Sequence, residues 1–338
     1  MGANTKIEWA DHTFNPWWGC TKISVGDKGA CEFCYAEPLA HRFGVGWGNA
    51  PRKKAGPKHL ALPAQWQRAA LKSGTRPFVF CASMADIFDN QVDPAWRREA
   101  FDIMRTNHRL VFLLLTKRPS MIEKLATEAG GLPHNAAIGC SAVTKKEAAR
   151  DISHLLHAKA ALRSLFAFVS LEPLMERVYL SHLDCDGGGG EADGFYQINA
   201  LTGRNTDMGR PCRDVPKLDW VITGGESGPK ARPSHPDWFR ALRDECAAAR
   251  TPFLFKQWGE WHPSDAHPPG EQCPPTPEAL HVDGRREFRP AEQFQLIATP
   301  GNGWAGLCKI GKQAAGRLLD GVEHNGFPAG FEREKAAA

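Results

Sequence analysis

Phe78-Val79-Phe80-Cys81-Ala82-Ser83-Met84-Ala85-Asp86 opens with five apolar residues and then turns polar. A short continuous apolar run of this kind reads as a buried strand. The next element reads as a helix, with Asp93 at the N-cap, Pro94 at the first helical position, and Trp96, Ala100, Ile103 and Met104 at helical spacing. The same unit recurs downstream. Residues 110–115 read as a strand, and Ser120 with Glu123 forms a capping-box pattern ahead of Leu125. Residues 137–140 give another strand, Thr144 and Glu147 open a helix striped by Ala148, Ile152, Leu155 and Leu156, and residues 165–171 follow as a strand. Residues 220–223, a helix beginning near Pro236 with Trp238, Leu242 and Cys246 on one side, and residues 253–255 complete the series.

Strands separated by helices imply a parallel sheet. Each run ends in polar residues: Ser83 and Asp86, Thr116 and Lys117, Ser141, Ser170 and Glu172, Thr223 onward, and Lys256 with Gln257. Polar loop starts are ordinary at any single strand. Their recurrence at all six favours a barrel, which gathers its strand ends into one mouth, over an open sheet with a single crevice. The expected fold class is therefore α/β, a partial (β/α) TIM-like barrel of six or more parallel strands. Residues 178–216, with four consecutive glycines at 187–190, read as a surface insertion. Residues 262–278 are rich in Pro, Asp283-Gly284 suggests a tight hairpin, and residues 312–319 a short closing helix. The chain thus divides into a barrel over 1–261 and a linker with C-terminal extension over 262–338.

The composition narrows the class. A chain of 338 residues with 42% hydrophobic and 24% charged residues is globular, neither disordered nor collagenous. Its longest aliphatic and aromatic run, residues 110–115, falls far short of the roughly 20 residues of a spanning helix. Residues 1–10 lack an apolar signal core, and Lys6 stands where a myristoylation site needs Ser or Thr. A cytoplasmic location without membrane association is expected, and in that compartment the ten cysteines are expected to be thiols. A net charge of +4 permits a nucleic-acid partner without demanding one. Most of the eleven tryptophans are expected in core and rim packing.

Cys20, Cys31 and Cys34 are spaced C-x10-C-x2-C, just before a helix that begins about Tyr35. A C-x2-C pair suits a metal ion or a cluster, and Cys20 is close enough to join it. A structural zinc wants four closed ligands, and His12, His41, Cys81 and Cys140 are the candidates for a fourth. Three thiols alone would leave a coordination position open. A thioredoxin-type redox pair would not need Cys20.

Three cysteines after the first strand of a (β/α) barrel resemble the radical S-adenosylmethionine superfamily, whose common spacing is C-x3-C-x2-C. The whole chain is similar to a phage- and prophage-associated three-cysteine-motif family. The shared segments include Thr5-Lys6-Ile7-Glu8-Trp9, Gly19-Cys20-Thr21-Lys22, Cys34-Tyr35-Ala36-Glu37, Ser83-Met84-Ala85-Asp86, Thr116-Lys117-Arg118-Pro119, Glu172-Pro173-Leu174, Gly224-Gly225-Glu226-Ser227 and Lys256-Gln257-Trp258-Gly259. The Asp86 region and Thr116-Lys117 also resemble strand-end motifs of the spore photoproduct lyase-like branch, a fold-level pointer to nucleic acid.

The resemblance implies that Cys20, Cys31 and Cys34 hold three irons of a 4Fe-4S cluster whose fourth iron binds S-adenosyl-L-methionine. A 5′-deoxyadenosyl radical then abstracts a hydrogen from a nucleic-acid or nucleotide substrate, with flavodoxin or ferredoxin as electron donor. Phe33 and Tyr35 would lie near the adenine, and Ser83, Ser141 and Ser170 would bond ribose or methionyl groups. Gly224 and Gly225 allow close backbone approach. Asp86, Lys117, Glu172 and Glu226 are the ionisable candidates for catalysis; Lys256 joins them in the mouth, and an Asp86–Lys117 ion pair is expected. The alternative is a non-catalytic zinc or iron-sulfur accessory protein that binds nucleic acid.

Three further signals are weaker. Residues 306–313 nearly match a phosphate-binding loop but end in Gln313. His182, Cys185 and Cys212 read as a surface loop, with a second metal as the alternative. Arg42, Arg52, Lys53, Lys54 and Lys58 read as a solvated basic face that would steer phosphate if it adjoined the site.

Overall fold

The computed structural model describes residues 5–24, 26, 28–185, 196–207, 210–211, 214–264, 278–288 and 302–331. Its centre is a seven-stranded sheet, β1 (His12–Phe14), β2 (Phe78–Cys81), β3 (Val111–Thr116), β4 (Ala136–Ser141), β5 (Ala167–Leu171), β6 (Trp220–Thr223) and β7 (Phe253–Phe255). Every neighbouring pair is parallel, and the spatial order is the chain order. A doubly wound sheet reverses its order at a switch point. This one does not, and it curls into a half-barrel. The main helices are α1 (Ala36–Arg42), α2 (Leu62–Ser73), α3 (Pro94–Thr106), α4 (Ile122–Glu128), α5 (Lys145–Leu162) and α6 (Pro236–Ala249).

The period-two alternation of each strand sorts its side chains between two cores. Val79, Cys81, Phe112, Leu114, Ile138, Cys140 and Val169 pack with Phe101, Leu155 and Trp238 of the helices. Phe78, Phe80, Val111, Leu113, Phe166, Phe168, Trp220 and Ile222 form a separate core, with Trp9 and no helical residue. Helices therefore cover one face, as in a barrel, and the other face is the lumen. Gly139 on β4 makes room there, because an added Cβ would lie 2.5 Å from the Phe168 ring.

The six predicted strands fall within two residues of the observed ones. Asp93 caps α3 by accepting the Ala95 N–H at 2.8 Å, and Thr144 caps α5 by accepting that of Glu147 at 3.2 Å. Ser120 does not cap α4. It lies inside a 3-10 turn, Pro119–Met121, that leads into the helix. The predicted closing helix shortens to Lys312–Ala315 and stops at Gly316, whose φ is +64°. The insertion has a small antiparallel sheet of Leu183–Cys185, Tyr196–Ile198, Asn205–Asp207 and Arg210–Pro211. Glycines 187–190, Cys212 and most of the Pro-rich loop lie outside the described residues.

Downstream, Trp261–Pro263, Trp304–Lys309, Glu278–His281 and Arg286–Phe288 form a second antiparallel sheet, with the expected hairpin at Asp283-Gly284. Gly306 pairs with Ala279 inside this sheet, so residues 306–313 form no phosphate loop. Cys308 is disulfide-bonded, a departure from thiols throughout. The C-terminal segment then returns to the half-barrel. Trp220 Nε1 donates to Gly326 O at 2.7 Å, and Phe327 and Phe331 pack into the lumen core. No described helix is long and apolar enough to cross a membrane.

Candidate active site

A cavity of about 470 Å³ lies at the C-terminal ends of the strands. Cys20, Cys31 and Cys34 line it together with Phe33, Tyr35, Ser83, Asp86, Lys117, Ser141, Ser170, Glu172, Gly225 and Glu226. Of the residues predicted to hold the cluster, to bind the cofactor or to act in catalysis, Gly224 alone is absent from its lining.

The loop after β1 carries the cysteines, and buried polar side chains tie it down. Asn15 Nδ2 donates to Ser83 Oγ at 3.0 Å, and Asn15 Oδ1 accepts the Met84 N–H at 2.8 Å. Arg52 is no part of a solvated face: it pairs with buried Asp89 at 2.7 Å and donates to Gly48 O and Thr21 Oγ1. Ser24, hydrogen-bonded to Glu147 of α5, accepts the Ala30 N–H at 2.9 Å. The Tyr35 hydroxyl donates to Ser83 O at 2.9 Å.

Asp86 pairs with Arg118, not with Lys117. Its Oδ2 accepts from Arg118 Nη1 at 3.0 Å and from the Lys117 backbone N–H at 3.2 Å. Its Oδ1 accepts from Thr116 Oγ1 at 2.7 Å and from the Phe88 N–H at 2.9 Å. Arg118 also reaches Thr21 O at 2.8 Å and Cys20 Sγ at 3.8 Å, so it is the strut between strand β3 and the cysteine loop. Glu226 is held by Arg232, whose Nη2 lies 2.6 Å from Oε1 and whose Nε and backbone N–H each lie 2.8 Å from Oε2. Arg232 Nη2 also donates to Gly29 O at 3.2 Å, and its guanidinium lies 5.1 Å from the centre of the Phe33 ring. Glu172 pairs with Lys256 at 2.6 Å.

Among the residues predicted for the site, Ser141, Ser170 and Lys117 have capacity left. Ser141 and Ser170 are register partners on β4 and β5, both buried on the lumen side, and neither hydroxyl is bonded among the described residues. The Lys117 ammonium has no ion pair there either. Burial works against its charge, but the Cys31 and Cys34 sulfurs, then Asp86 and Cys20, outweigh that and raise its pKa. Burial, helped by Asp86, pushes the Cys20 thiol up to about 12 against the pull of Arg118.

The glycines answer to the protein. A Cβ on Gly225 would lie 1.8 Å from Trp258 O, and one on Gly224 would lie 3.2 Å from Gln257 O, so both are fitted to the loop after β7. Arg118, Arg232 and Asn15 were missed in the sequence. Arg118 had a signal, since it follows Thr116 and Lys117 at the same strand end.

All three cysteines of the loop are free. Cys81 and Cys140 pack in the helix-side core, His12 stacks on Trp66 at 4.5 Å on that same side, and His41 lies on exposed α1 outside the cavity lining. None of these supplies a fourth ligand beside the three thiols. The donor set fits a group that takes three protein thiolates and keeps one position open. Among the described residues no three His, Cys, Asp or Glu side chains are gathered as closely as a metal ion requires.

No curated protein matches the sequence. Solved structures of spore photoproduct lyase match it distantly. One complexed with dinucleoside spore photoproduct is 12% identical, with 51% of this chain and 48% of that chain covered and a TM-score of 0.37. A mutant with bound AdoMet and dinucleoside spore photoproduct is 10% identical, with 88% and 73% covered and a TM-score of 0.39. The chain thus spans about half the length of the first. At this level the likeness bears on neither activity nor substrate. The family described as Protein of unknown function (DUF5131) matches residues 4–328, and the chain belongs to that family.

Proposed function

We propose that this protein is an iron-sulfur radical S-adenosylmethionine enzyme that modifies or repairs a nucleic-acid or nucleotide substrate. The observation that carries the reading is that three free thiols and two unbonded strand-end hydroxyls line one cavity at the mouth of a parallel half-barrel. Cys20, Cys31 and Cys34 would hold the 4Fe-4S cluster, which when bound supplies the electron that cleaves S-adenosyl-L-methionine reductively.

The chain's own residues divide that work. Ser141 and Ser170 hydrogen-bond polar groups of the cofactor, which are costly to bury unsatisfied. Lys117 brings a positive charge to the thiolate wall. Asp86 and Glu226 act through Arg118 and Arg232, holding the cysteine loop in place. Glu172, bridged to Lys256, is the carboxylate best placed to exchange a proton with a substrate. Trp9, Phe80 and Leu115 give the cavity an apolar wall that excludes water from reactive species.

Anaerobic reconstitution with iron and sulfide, followed by reduction in the presence of S-adenosyl-L-methionine and a flavodoxin or ferredoxin donor, tests the reading. The expected result is an iron-sulfur absorbance and electron paramagnetic resonance signal, with release of 5′-deoxyadenosine. Stoichiometric zinc with no cluster uptake overturns it.

A further inference from the structure

The connection from α1 to β2 carries a charge that the chemistry of the cavity leaves unused. Residues 38–85 hold eight Lys and Arg and no Asp or Glu, while the whole chain has a net charge of only +4, so the remainder of the chain is net negative. Three of the eight are engaged: Arg52 is buried on Asp89, Lys54 pairs with Glu99 at 2.6 Å, and Arg76 lies over the Phe331 ring. Arg42, Lys53, Lys58, Arg68 and Lys72 are exposed, and none of them has an ion pair among the described residues.

The connection starts at the thiol site. Trp47 lines the cavity, the Gly48 N–H donates to Cys20 O at 2.9 Å, and the Ala55 N–H donates to Pro16 O at 2.9 Å. Lys53 stands opposite Trp18 in a short antiparallel ribbon, and Trp18 packs with Ala36 and Ala40 of α1, whose exposed last residue is Arg42. From the ribbon the chain descends beside β1, the terminal strand of the seven-stranded sheet. The His59 ring lies 5.3 Å from that of Trp18 and 6.1 Å from that of Phe14, and the Trp66 ring of α2 stacks on His12 at 4.5 Å. Lys58, Arg68 and Lys72 therefore follow one another away from the mouth. Trp66 and Ala70 face inward, and Arg68 and Lys72, one turn apart, share the opposite face of α2. The cations are strung along roughly 20 Å of β1 and its extension, a length that several phosphates of a strand occupy and a single nucleotide does not.

We propose that this connection seats a nucleic-acid strand whose target nucleotide enters the cavity, with phosphates received by Arg42, Lys53, Lys58, Arg68 and Lys72. The proposal rests on the nucleic-acid or nucleotide substrate class above and selects the polymer. Lys is depleted at protein–protein interfaces, whereas Lys and Arg alike neutralise a phosphate backbone. Phe43, 56% exposed and next to Arg42, adds a ring on which an unpaired base can stack. Five phosphates of a single strand neutralised in this way give a slope of about −3.5 in log K against log salt concentration.

Fluorescence anisotropy of labelled DNA and RNA oligonucleotides, single- and double-stranded, with the full chain reconstituted anaerobically and a series of KCl concentrations, tests this. Arg42→Gln with Lys53→Gln, and Arg68→Gln with Lys72→Gln, should each weaken binding and make the slope shallower by about 1.5. Replacing all five cations by Gln should leave an oligonucleotide binding no better than a mononucleotide. None of the five lines the cavity, so 5′-deoxyadenosine release in the absence of oligonucleotide and the circular dichroism spectrum should stay at wild-type values. Phe43→Ala should weaken single strands and spare duplexes. A mononucleotide that binds as tightly as an oligonucleotide, binding that does not respond to salt, or a wild-type slope in both double variants overturns the proposal. So does a fivefold variant that binds oligonucleotides normally and no longer accepts electrons from flavodoxin, which assigns the face to an acidic protein. Cofactor cleavage by a chain that binds no strand sinks this proposal alone, and strand binding by a chain that takes up no cluster sinks only the enzyme reading.

Discussion

Asp86 and the Ser141–Ser170 pair line the same cavity and are built on opposite terms. The Asp86 carboxylate accepts four hydrogen bonds, two of them from Thr116 and Arg118 side chains, and has nothing left for a ligand. The two serine hydroxyls, side by side in register, are bonded to nothing among the described residues. Polar residues at strand ends are therefore of two kinds, those that hold the site in shape and those that face what enters it. Glu226, gripped by Arg232, belongs with Asp86.

The largest effect is expected outside both groups. Cys34→Ala should abolish cluster uptake, measured as bound iron and sulfide, with little change in the melting temperature, because the residue is only partly buried at the edge of a small cluster. Asp86→Ala comes next. It leaves the Arg118 guanidinium nearly buried and uncompensated, a loss of about 3–5 kcal/mol in urea unfolding. Replacing Ser141 and Ser170 together by Ala should cost less than about 1 kcal/mol of stability. It should still weaken S-adenosyl-L-methionine binding by roughly tenfold. If the serine variant proves as unstable as Asp86→Ala, the contrast between the two kinds is broken.

A smaller effect comes from a titratable group that holds structure away from the mouth. His235 caps α6, its Nδ1 accepting the Asp237 N–H at 3.1 Å, and burial pulls its pKa down from 6.5 to about 4. The unfolded chain takes up this proton first as the pH falls. The stability due to a neutral His235 is complete above about pH 6.5 and is lost progressively toward pH 4. His235→Asn, a cap that does not titrate there, should flatten that part of the stability curve, as followed by thermal melts across the range.

The repeating βα unit was legible because each strand from residue 78 onward is an apolar run bounded by polar or turn residues. β1 was not, since His12-Thr13-Phe14 holds only one apolar residue and owes its strand to pairing with Val79, Phe80 and Cys81. The site residues were legible as residue types at strand ends, and the structure brings nearly all of them to one cavity. Their pairing was not. Lys117 and Arg118 are adjacent cations, and only the turn into Pro119–Met121 decides which of them reaches Asp86. The glycines at 224 and 225 carried a signal of close approach, but the thing approached, the backbone near Trp258, lies on another loop.

The return of Gly326 and Phe331 to the lumen has a kinetic meaning. Phe78, on the second strand, packs 5.5 Å from Phe331, so one of the first strands to be synthesised meets one of the last residues described here. Contacts so distant in sequence close slowly, and until they form the aromatic lining of the half-barrel stays open to water and to other chains. The inner core is complete only when synthesis has passed residue 331, and the helix-side core, which takes in Leu307, Ala315 and Leu319, is nearly as late. A chain cut short of Gly326 would lose the acceptor of the Trp220 indole N–H and the Phe327 and Phe331 rings, and would leave its lumen unsealed.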